Sequence, residues 1–442
     1  MKTRLINSLP VIIISMIFAA CNPAPPTLDA PYKPDDKKDT TTELPGNSGN
    51  SDSTDGTDSG DKPVVTPPVN KTIDPDALPQ AIELYNRLAA LSLSGQGLLF
   101  GHQYDNVNSK SGSKDFDQVM GISDTYKAVG DYPALFGFNF DSGIDKIYKA
   151  VVNAAKMGGV ITIHNPMNQY KDVVDASLKA GSYATDRVKF MLDETSVQHK
   201  MLTNRLDSIA LFADSAKIDG KQIPIIFRPW HENTGGSQWW GTKTSGGPGC
   251  SDDEYVALWQ FTVHYLRDVK HVHSLLYAYA PSRPSEHASQ DLDEGDGGGS
   301  GYGFRNPGWE WFDIAGFDCY VKLPYNKGSF TEIYLASAQA TVDYARAHDK
   351  IPASTEFGYK GGLQGNSKDG TPPAPANWFT QEFLGPLKAD PYASQLVYAL
   401  TWTNTTGGWW VPTPPGDVWL SDFVAFFNDP HMMFLQKWKN YK

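Results

Sequence analysis

The chain has 442 residues, of which 12% are aromatic, and a formal net charge of −12 at pH 7. That acidic balance speaks against a nucleic-acid partner, because phosphate contacts need a basic surface. With only three cysteines, Cys21, Cys250 and Cys319, the chain is no disulfide framework, although Cys250 and Cys319 could pair in an oxidising compartment.

The first 20 residues carry Lys2 and Arg4, then the apolar run "LPVIIISMIFAA". This is the pattern of a signal peptide, too short to span a bilayer as a helix. It ends "FAAC", which resembles a bacterial lipobox, so Cys21 is the expected site of acylation. Ordinary cleavage nearby is the alternative. Residues 21 to 76 are rich in Pro, Asp, Ser, Thr and Gly and hold almost no aromatics. Such a segment buries too little apolar surface to offset its ordering entropy and reads as a flexible tether. Residues 77 to 442 are dense in aromatics and form the expected folded domain.

Eight short β-rich runs come in order: "GLLFGHQ", "YPALFGFNF", "GGVITIHNP", "IPIIFRPWHE", "SLLYAYAP", "FDIAGFDCY", "IPASTEFGY" and "LVYALTWTN". Most are near-continuous apolar runs, as parallel strands buried on both faces require. Between them lie helical patterns such as "GIDKIYKAVVNAAKMGG" and "DEYVALWQFTVHYLRDVK", the latter opening on acidic residues where a helix start favours negative charge. Alternating strand and helix with right-handed crossovers predicts a closed (β/α)8 TIM barrel. Neither a G-x-G-x-x-G after the first strand nor a P-loop supports a nucleotide-binding open sheet.

In a TIM barrel, chemistry sits at the C-terminal strand ends. Polar and aromatic groups gather there: His102, Asp141, His164 with Asn165, His231 with Glu232, Asp318 with Tyr320, Glu356, and Trp402 with Asn404. Period-two alternation places Arg228, Trp230 and Glu232 on one face of the fourth strand. It places Asp318 with Tyr320 on the sixth, Ser354 with Glu356 on the seventh, and Leu400 with Trp402 on the eighth. Arg228 then needs a carboxylate partner, Asp141 or Asp318.

Glu232 and Glu356 end strands that face each other across the mouth. Two carboxylates about 5 Å apart suit retaining glycoside hydrolysis. Trp230, Trp239 and Trp240 around Glu232 favour a protonated acid/base, while a hydrogen bond from Tyr320 favours an ionised nucleophile at Glu356. Neither H-E-x-x-H nor a zinc-spaced cluster is present, so a catalytic metal and a cofactor are not expected.

The pieces "FGHQ", "IHNP", "RPWHENTGGSQWWG", "NPGWEWFDIAGFDCY", "ASTEFGY" and "TWTN" resemble glycoside hydrolase family 26, most of whose members are endo-β-1,4-mannanases. The resemblance implies a retaining (β/α)8 enzyme with Glu232 as acid/base and Glu356 as nucleophile. It implies sugar contacts from His164, His231 and Asp318. It also implies a bond from Tyr320 to the nucleophile, a sugar floor at Trp402 and a cleft wall at Trp239. The family often carries a tryptophan soon after the third-strand Asn-Pro, where this chain has Tyr170. The implied substrate is β-mannan or galactomannan, with β-1,3-xylan or mixed-linkage β-glucan as sister specificities and a non-catalytic glycan-binding lipoprotein as the other class. With the lipobox, the expected location is the outer membrane of a Gram-negative cell, as a monomer. Trp240, Trp309, Trp311, Trp409 and Trp410 suit either core packing or sugar stacking. The loop "GGLQGNSKDGTPPAPAN" after the seventh strand could line or cover the cleft.

Overall fold

The computed structural model describes residues 70–117, 122–167, 187–235, 238–242, 249–284, 301–303, 305–321, 328–368 and 370–441. All of them belong to one compact unit, Thr66–Lys442. The signal segment, Cys21, most of the tether and Tyr170 lie outside the described residues.

Eight parallel strands close on themselves. They are β1 (Leu98–Gln103), β2 (Leu135–Asn139), β3 (Val160–Asn165), β4 (Ile225–Pro229), β5 (Leu275–Tyr279), β6 (Ile314–Val321), β7 (Ile351–Tyr359) and β8 (Tyr398–Thr401). Each pairs with its sequence neighbour, and β8 returns to β1 with Leu99 opposite Tyr398. A short ninth strand, Met432–Met433, also docks on β1. Each predicted run therefore marks one barrel strand, with β6 continuing one residue beyond its run to Val321.

The helices around the barrel include α1 (Pro79–Ser94), α2 (Asp124–Val129), α3 (Ile144–Lys156), α4 (Arg187–Leu192), α5 (Val197–Ser215), α6 (Asp252–His264) and α7 (Phe330–Ala347). Their ends carry chemical signals. Helix α1 starts with Pro at its first position and stops at Gly95 in the left-handed region. Helices α6 and α7 each open on a reciprocal capping box, Ser251 with Glu254 and Ser329 with Glu332. Among the described residues, no helix is long and apolar enough to cross a membrane.

Leu99, Leu135, Ile226, Leu276, Ile314, Ala353 and Leu400 fill the barrel interior, in one cluster with Leu84, Leu88 and Leu91 of α1. The α1 start is tied to the bottom of the barrel, where the Leu78 amide donates to the His273 carbonyl. The lower end is thus plugged, which leaves the upper end for a site. Larger apolar clusters lie between the strands and the helix ring. Cys250 and Cys319 pack in separate clusters, so the pairing left open by the sequence is not formed.

Two of the expected strand faces are corrected. Strand β4 ends at Pro229, and Trp230 and Glu232 have φ of 48° and 52°. Alternation holds only for extended backbone, so these left-handed residues break the shared face. Arg228 points into the barrel, whereas the buried Trp230 turns outward and donates from Nε1 to Thr262 Oγ1 of α6 at 2.9 Å.

On β7 the register slips. Phe317 and Ala399 both pair with Ser354, but the next partners are Asp318 with Glu356 and Thr401 with Phe357. Thr355 is the extra residue of a β-bulge, and it reverses the phase of the rest of the strand. Ser354 therefore faces Tyr334 of α7, and Thr355 and Glu356 both turn inward.

Candidate active site

The mouth of the barrel is organised around Arg228. Its guanidinium donates to Asp318 Oδ2 at 2.6 Å and to Glu356 Oε1, with all three side chains buried. Arg228 therefore takes Asp318, one of its two expected partners, and also Glu356. Asp141 goes instead to Arg205 of α5 at 2.8 Å, and Arg205 also donates to Asn165 Oδ1 at 2.9 Å.

Each acid has further donors. Thr355 Oγ1 donates to Asp318 Oδ1 at 2.7 Å, and Tyr320 donates its hydroxyl to Glu356 Oε2 at 3.1 Å. The second bond is the one anticipated from the strand faces. Burial pushes the Glu356 carboxyl above its ordinary value; the Arg228 charge pulls it back, Glu232 pushes it up again, and the bonds from Arg228 and Tyr320 lower it. Burial raises Asp318 further, with Arg228 as the main opposing influence. Burial alone would lower Arg228, but the two carboxylates override it and hold the guanidinium more strongly protonated than usual.

Glu232 sits three strands round the ring from Glu356, on the turn that ends β4. Its backbone amide donates to the Ala280 carbonyl at 2.8 Å, which stitches the turn to the end of β5. Gln238 Nε2 donates to its carboxylate at 3.3 Å. Unlike buried Glu356, Glu232 is partly open to solvent, so it can exchange a proton with water.

The three tryptophans expected around Glu232 stand behind it as a buried block. Trp230, Trp239 and Trp240 pack edge-on with centroids 5.2 to 5.5 Å apart. Trp240 donates to the His231 carbonyl at 2.8 Å, and Trp239 to the Pro166 carbonyl at 3.1 Å. Trp239, assigned to the cleft wall by resemblance, is only 3% exposed. The block fixes the path of the turn that carries His231 and Glu232.

His164 and His231 meet at 5.0 Å between ring centroids, and His164 lies 5.8 Å from Trp402. Burial, followed by the nearby Arg228 charge, holds both imidazoles well below their ordinary pKa, so both are neutral. Nδ1 of His231 is buried with no hydrogen-bond partner among the described residues. Trp402 is half-buried and open to a cavity beside it. His102 stays out of the mouth: fully buried, it pairs with Asp105 at 2.7 Å.

His231, Asp318 and Glu356 offer ligand atoms within 4.8 Å of one another, a spacing a cation could use. Both carboxylates already bind the Arg228 guanidinium, so the cation in this cluster is supplied by the protein.

Sequence reasoning missed Gln238 and Thr355. Gln238 lies inside the tryptophan-rich segment, where a polar residue among glycines was a usable signal. Thr355 reaches Asp318 only through the bulge, for which the strand sequence carries no sign.

The site can place one carboxylate, locked by an arginine and a tyrosine, opposite a second that exchanges protons with solvent. The description "Glycosyl hydrolase family 26" matches residues 73–359. A mannan endo-1,4-β-mannosidase from Bifidobacterium adolescentis is 32% identical over 343 residues, covering 72% of this chain and 31% of that protein. The chain thus spans about a third of that relative's length. A modular endo-β-1,4-mannanase from Cellulomonas fimi superposes with a TM-score of 0.68 at 32% identity, covering 83% of this chain and 78% of that one. A family 26 β-mannanase from Bacteroides ovatus gives 0.65 at 25% identity, covering 83% and 98%. With the matching residues carrying both Glu232 and Glu356, the chain belongs to glycosyl hydrolase family 26.

Proposed function

We propose that the protein hydrolyses internal β-1,4 links of mannan or galactomannan with retention of configuration. The observation that carries this reading is the contrast between its two glutamates: Glu356 is held by Arg228 and Tyr320, and Glu232 is partly exposed beside Gln238. The mannanase names of the relatives support the choice of polymer.

In the first step Glu232 gives its proton to the glycosidic oxygen. The Glu356 carboxylate attacks the anomeric carbon, the C–O bond to the leaving sugar breaks, and a glycosyl ester forms. In the second step the Glu232 carboxylate takes a proton from water. The water oxygen bonds to the anomeric carbon, the ester bond breaks, and Glu356 is again a carboxylate. Two inversions restore the starting configuration, and one water is consumed. Arg228 and Tyr320 stabilise Glu356 as it leaves the sugar. His164 and His231, both neutral, can donate and accept hydrogen bonds with sugar hydroxyls, and Trp402 offers a flat apolar face beneath the ring.

The deciding experiment is a product profile on mannan, β-1,3-xylan and lichenan, with the first-formed anomer followed by NMR. Release of mixed manno-oligosaccharides with the β anomer first supports the reading. Hydrolysis of xylan or lichenan alone, or the α anomer first, overturns it.

The reading extends to display. Acylation at Cys21 would anchor the protein to the outer membrane, and the polar tether would hold the barrel, as a monomer, off the lipid towards a polymer too large to approach it closely. Radiolabelled palmitate incorporated by the wild type and absent from Cys21→Ala supports the anchor, and label retained in that variant opposes it.

A further inference from the structure

The segment that follows Glu232 folds back onto it. Gln238 Nε2 donates to Glu232 Oε2 at 3.3 Å. Among the described residues this is the side-chain hydrogen bond that the carboxylate accepts, and no cation pairs with it. Glu356 has the opposite surroundings, with a guanidinium and a phenol on one buried carboxylate.

Both ends of the Gln238 bond are braced. The Glu232 turn is tied to the end of β5. Besides the Glu232 amide on the Ala280 carbonyl, the Asn233 side chain donates to the Tyr279 hydroxyl at 3.2 Å, and Thr234 Oγ1 donates to the Ser282 carbonyl at 3.0 Å. The Gln238 end is closed into a loop. The Gly241 amide donates to the Gln238 carbonyl at 2.9 Å, and the Thr242 amide donates to the Gly235 carbonyl at 3.1 Å. A Cβ at Gly241 would stand 2.0 Å from that Gly235 oxygen, so the loop closes in this way only with glycine there. Trp239 and Trp240, next in sequence, are sunk in the indole block, with Trp240 Nε1 on the His231 carbonyl. The block thus carries Gln238 and supports the Glu232 turn at the same time. Gln238 itself is half-buried.

The chemistry of the donor decides what the contact can do. Glu232 must hold a proton at the start of the first step and lose it during that step. A cation in place of Gln238 would hold the carboxylate ionised and remove the acid. A primary amide carries no charge, and its nitrogen can only donate. With an N–H directed at Oε2, a proton on that oxygen would meet the amide hydrogen, so the acid proton belongs on Oε1. As the Oε1–H bond breaks, the proton passes to the glycosidic oxygen and the electron pair stays on Glu232. The charge spreads to Oε2, and the amide bond becomes charge-assisted. Such bonds shorten to about 2.7–2.9 Å, so the present spacing leaves room to tighten as the proton departs. In the second step Glu232 starts as a carboxylate and ends protonated. The bond then loosens, and loss of the donor does not slow that step.

Resting on the glycosidase reading, we infer that Gln238 is the positioning residue of the acid/base: it directs the Glu232 proton to Oε1 and stabilises the carboxylate left when that proton is transferred.

The test is Gln238→Met, which keeps the length of the side chain and removes the donor. Aryl β-glycosides are compared in the mannose series, or in whichever series the wild type hydrolyses. One carries a phenyl leaving group, which needs a proton, and the other a dinitrophenyl group, which does not. The variant loses about tenfold in kcat/KM on the phenyl glycoside, the worth of one weak bond to a charged group, and little on the dinitrophenyl glycoside. The 2-fluoro glycosyl-enzyme, esterified at Glu356, breaks down in the variant at the wild-type rate or faster. Should Gln238→Met not fold, Gln238→Asn, one methylene too short to reach Glu232, gives the same comparison. Equal losses on both aryl glycosides, or a slowed second step, indicate a general displacement of Glu232 and overturn the inference. A raised KM at unchanged kcat marks a sugar contact and also overturns it. A gain on the phenyl glycoside means that the amide carbonyl had been holding the acid proton, and an unchanged variant means that the bond has no role; both overturn it. A wild type that hydrolyses no series refutes the glycosidase reading itself and the inference with it, whereas the other failures leave that reading intact.

Discussion

Arg228 joins Asp318 and Glu356 through two nitrogens of one guanidinium, beneath the mouth of the barrel. One positive charge shared by two buried acids is a tight arrangement, and burial already raises both carboxyls. Arg228→Met leaves the acids facing each other unpaired, which costs about 3–5 kcal/mol of stability at neutral pH. Both acids protonate more easily without Arg228, so the variant should recover part of its deficit against wild type as pH falls. Denaturant midpoints measured from pH 7 to pH 5 check this. A deficit that stays constant across that range contradicts it.

Tyr320→Phe removes one donor from Glu356 and nothing from Asp318. A hydrogen bond to a charged group is worth about 1.5–3 kcal/mol, so kcat should fall by about ten- to a hundredfold. The Tyr320 bond lowers the Glu356 pKa, so its loss raises that pKa. Activity needs ionised Glu356 and is lost as pH falls through its pKa. The acidic limb of kcat/KM against pH should therefore move to higher pH in the variant.

The two glutamates should fail in different ways. Glu356→Ala abolishes turnover with every leaving group. Glu232→Ala loses about 10²–10⁴-fold on polymer, the usual worth of a general acid, and less on a substrate whose leaving group needs no proton. Azide should restore Glu232→Ala on an activated glycoside and give the β-glycosyl azide. Restoration of Glu356→Ala with that same β product would reverse the roles.

Trp230 and Trp402 separate packing from binding. Trp230 is fully buried and bonded to Thr262, so Trp230→Ala should cost about 3–5 kcal/mol. Trp402 is half-buried beside a cavity, so Trp402→Ala should shift the melting temperature little while lowering kcat/KM. Thermal melts and steady-state kinetics on both variants test the contrast.

Asp313 at the barrel bottom accepts hydrogen bonds from the Ile73 and Tyr277 amides, and burial pushes its pKa up to about 6. Its unfolded value is near 3.8, so between about pH 4 and 6 the native state holds more protons than the unfolded one. The Asp313 contribution then falls as pH rises through this window, by an amount on the order of 2–3 kcal/mol. Asp313→Asn, which cannot ionise, should show a flatter stability profile there. Chemical denaturation at pH 4, 5, 6 and 7 reads this directly.

The eight-stranded barrel was legible because strands buried on both faces must be apolar throughout, and each such run was followed by a helical period. The position of the site was legible for a related reason: polar residues at the ends of apolar strands are costly to bury and stand out. Glu232, Glu356 and the Tyr320 bond were all accessible at that level. The faces of β4 and β7 were not. Left-handed φ at Trp230 and Glu232 and the extra residue Thr355 depend on how neighbouring strands pair, and the local pattern carries no trace of that.

The run "RPWHENTGGSQWWG" shows the division within one segment. Its residue types alone determined that a carboxylate, a cation and a cluster of indoles meet at the end of a buried strand. Only the tertiary structure decided that Arg228 grips Glu356 from another strand, that the indoles form a wall behind the turn, and that the open aromatic surface lies across the mouth at Trp402 and Trp410. The physical reason is that hydrophobicity and charge are properties of single residues, whereas partners are set by closing the ring, which brings distant strands into register.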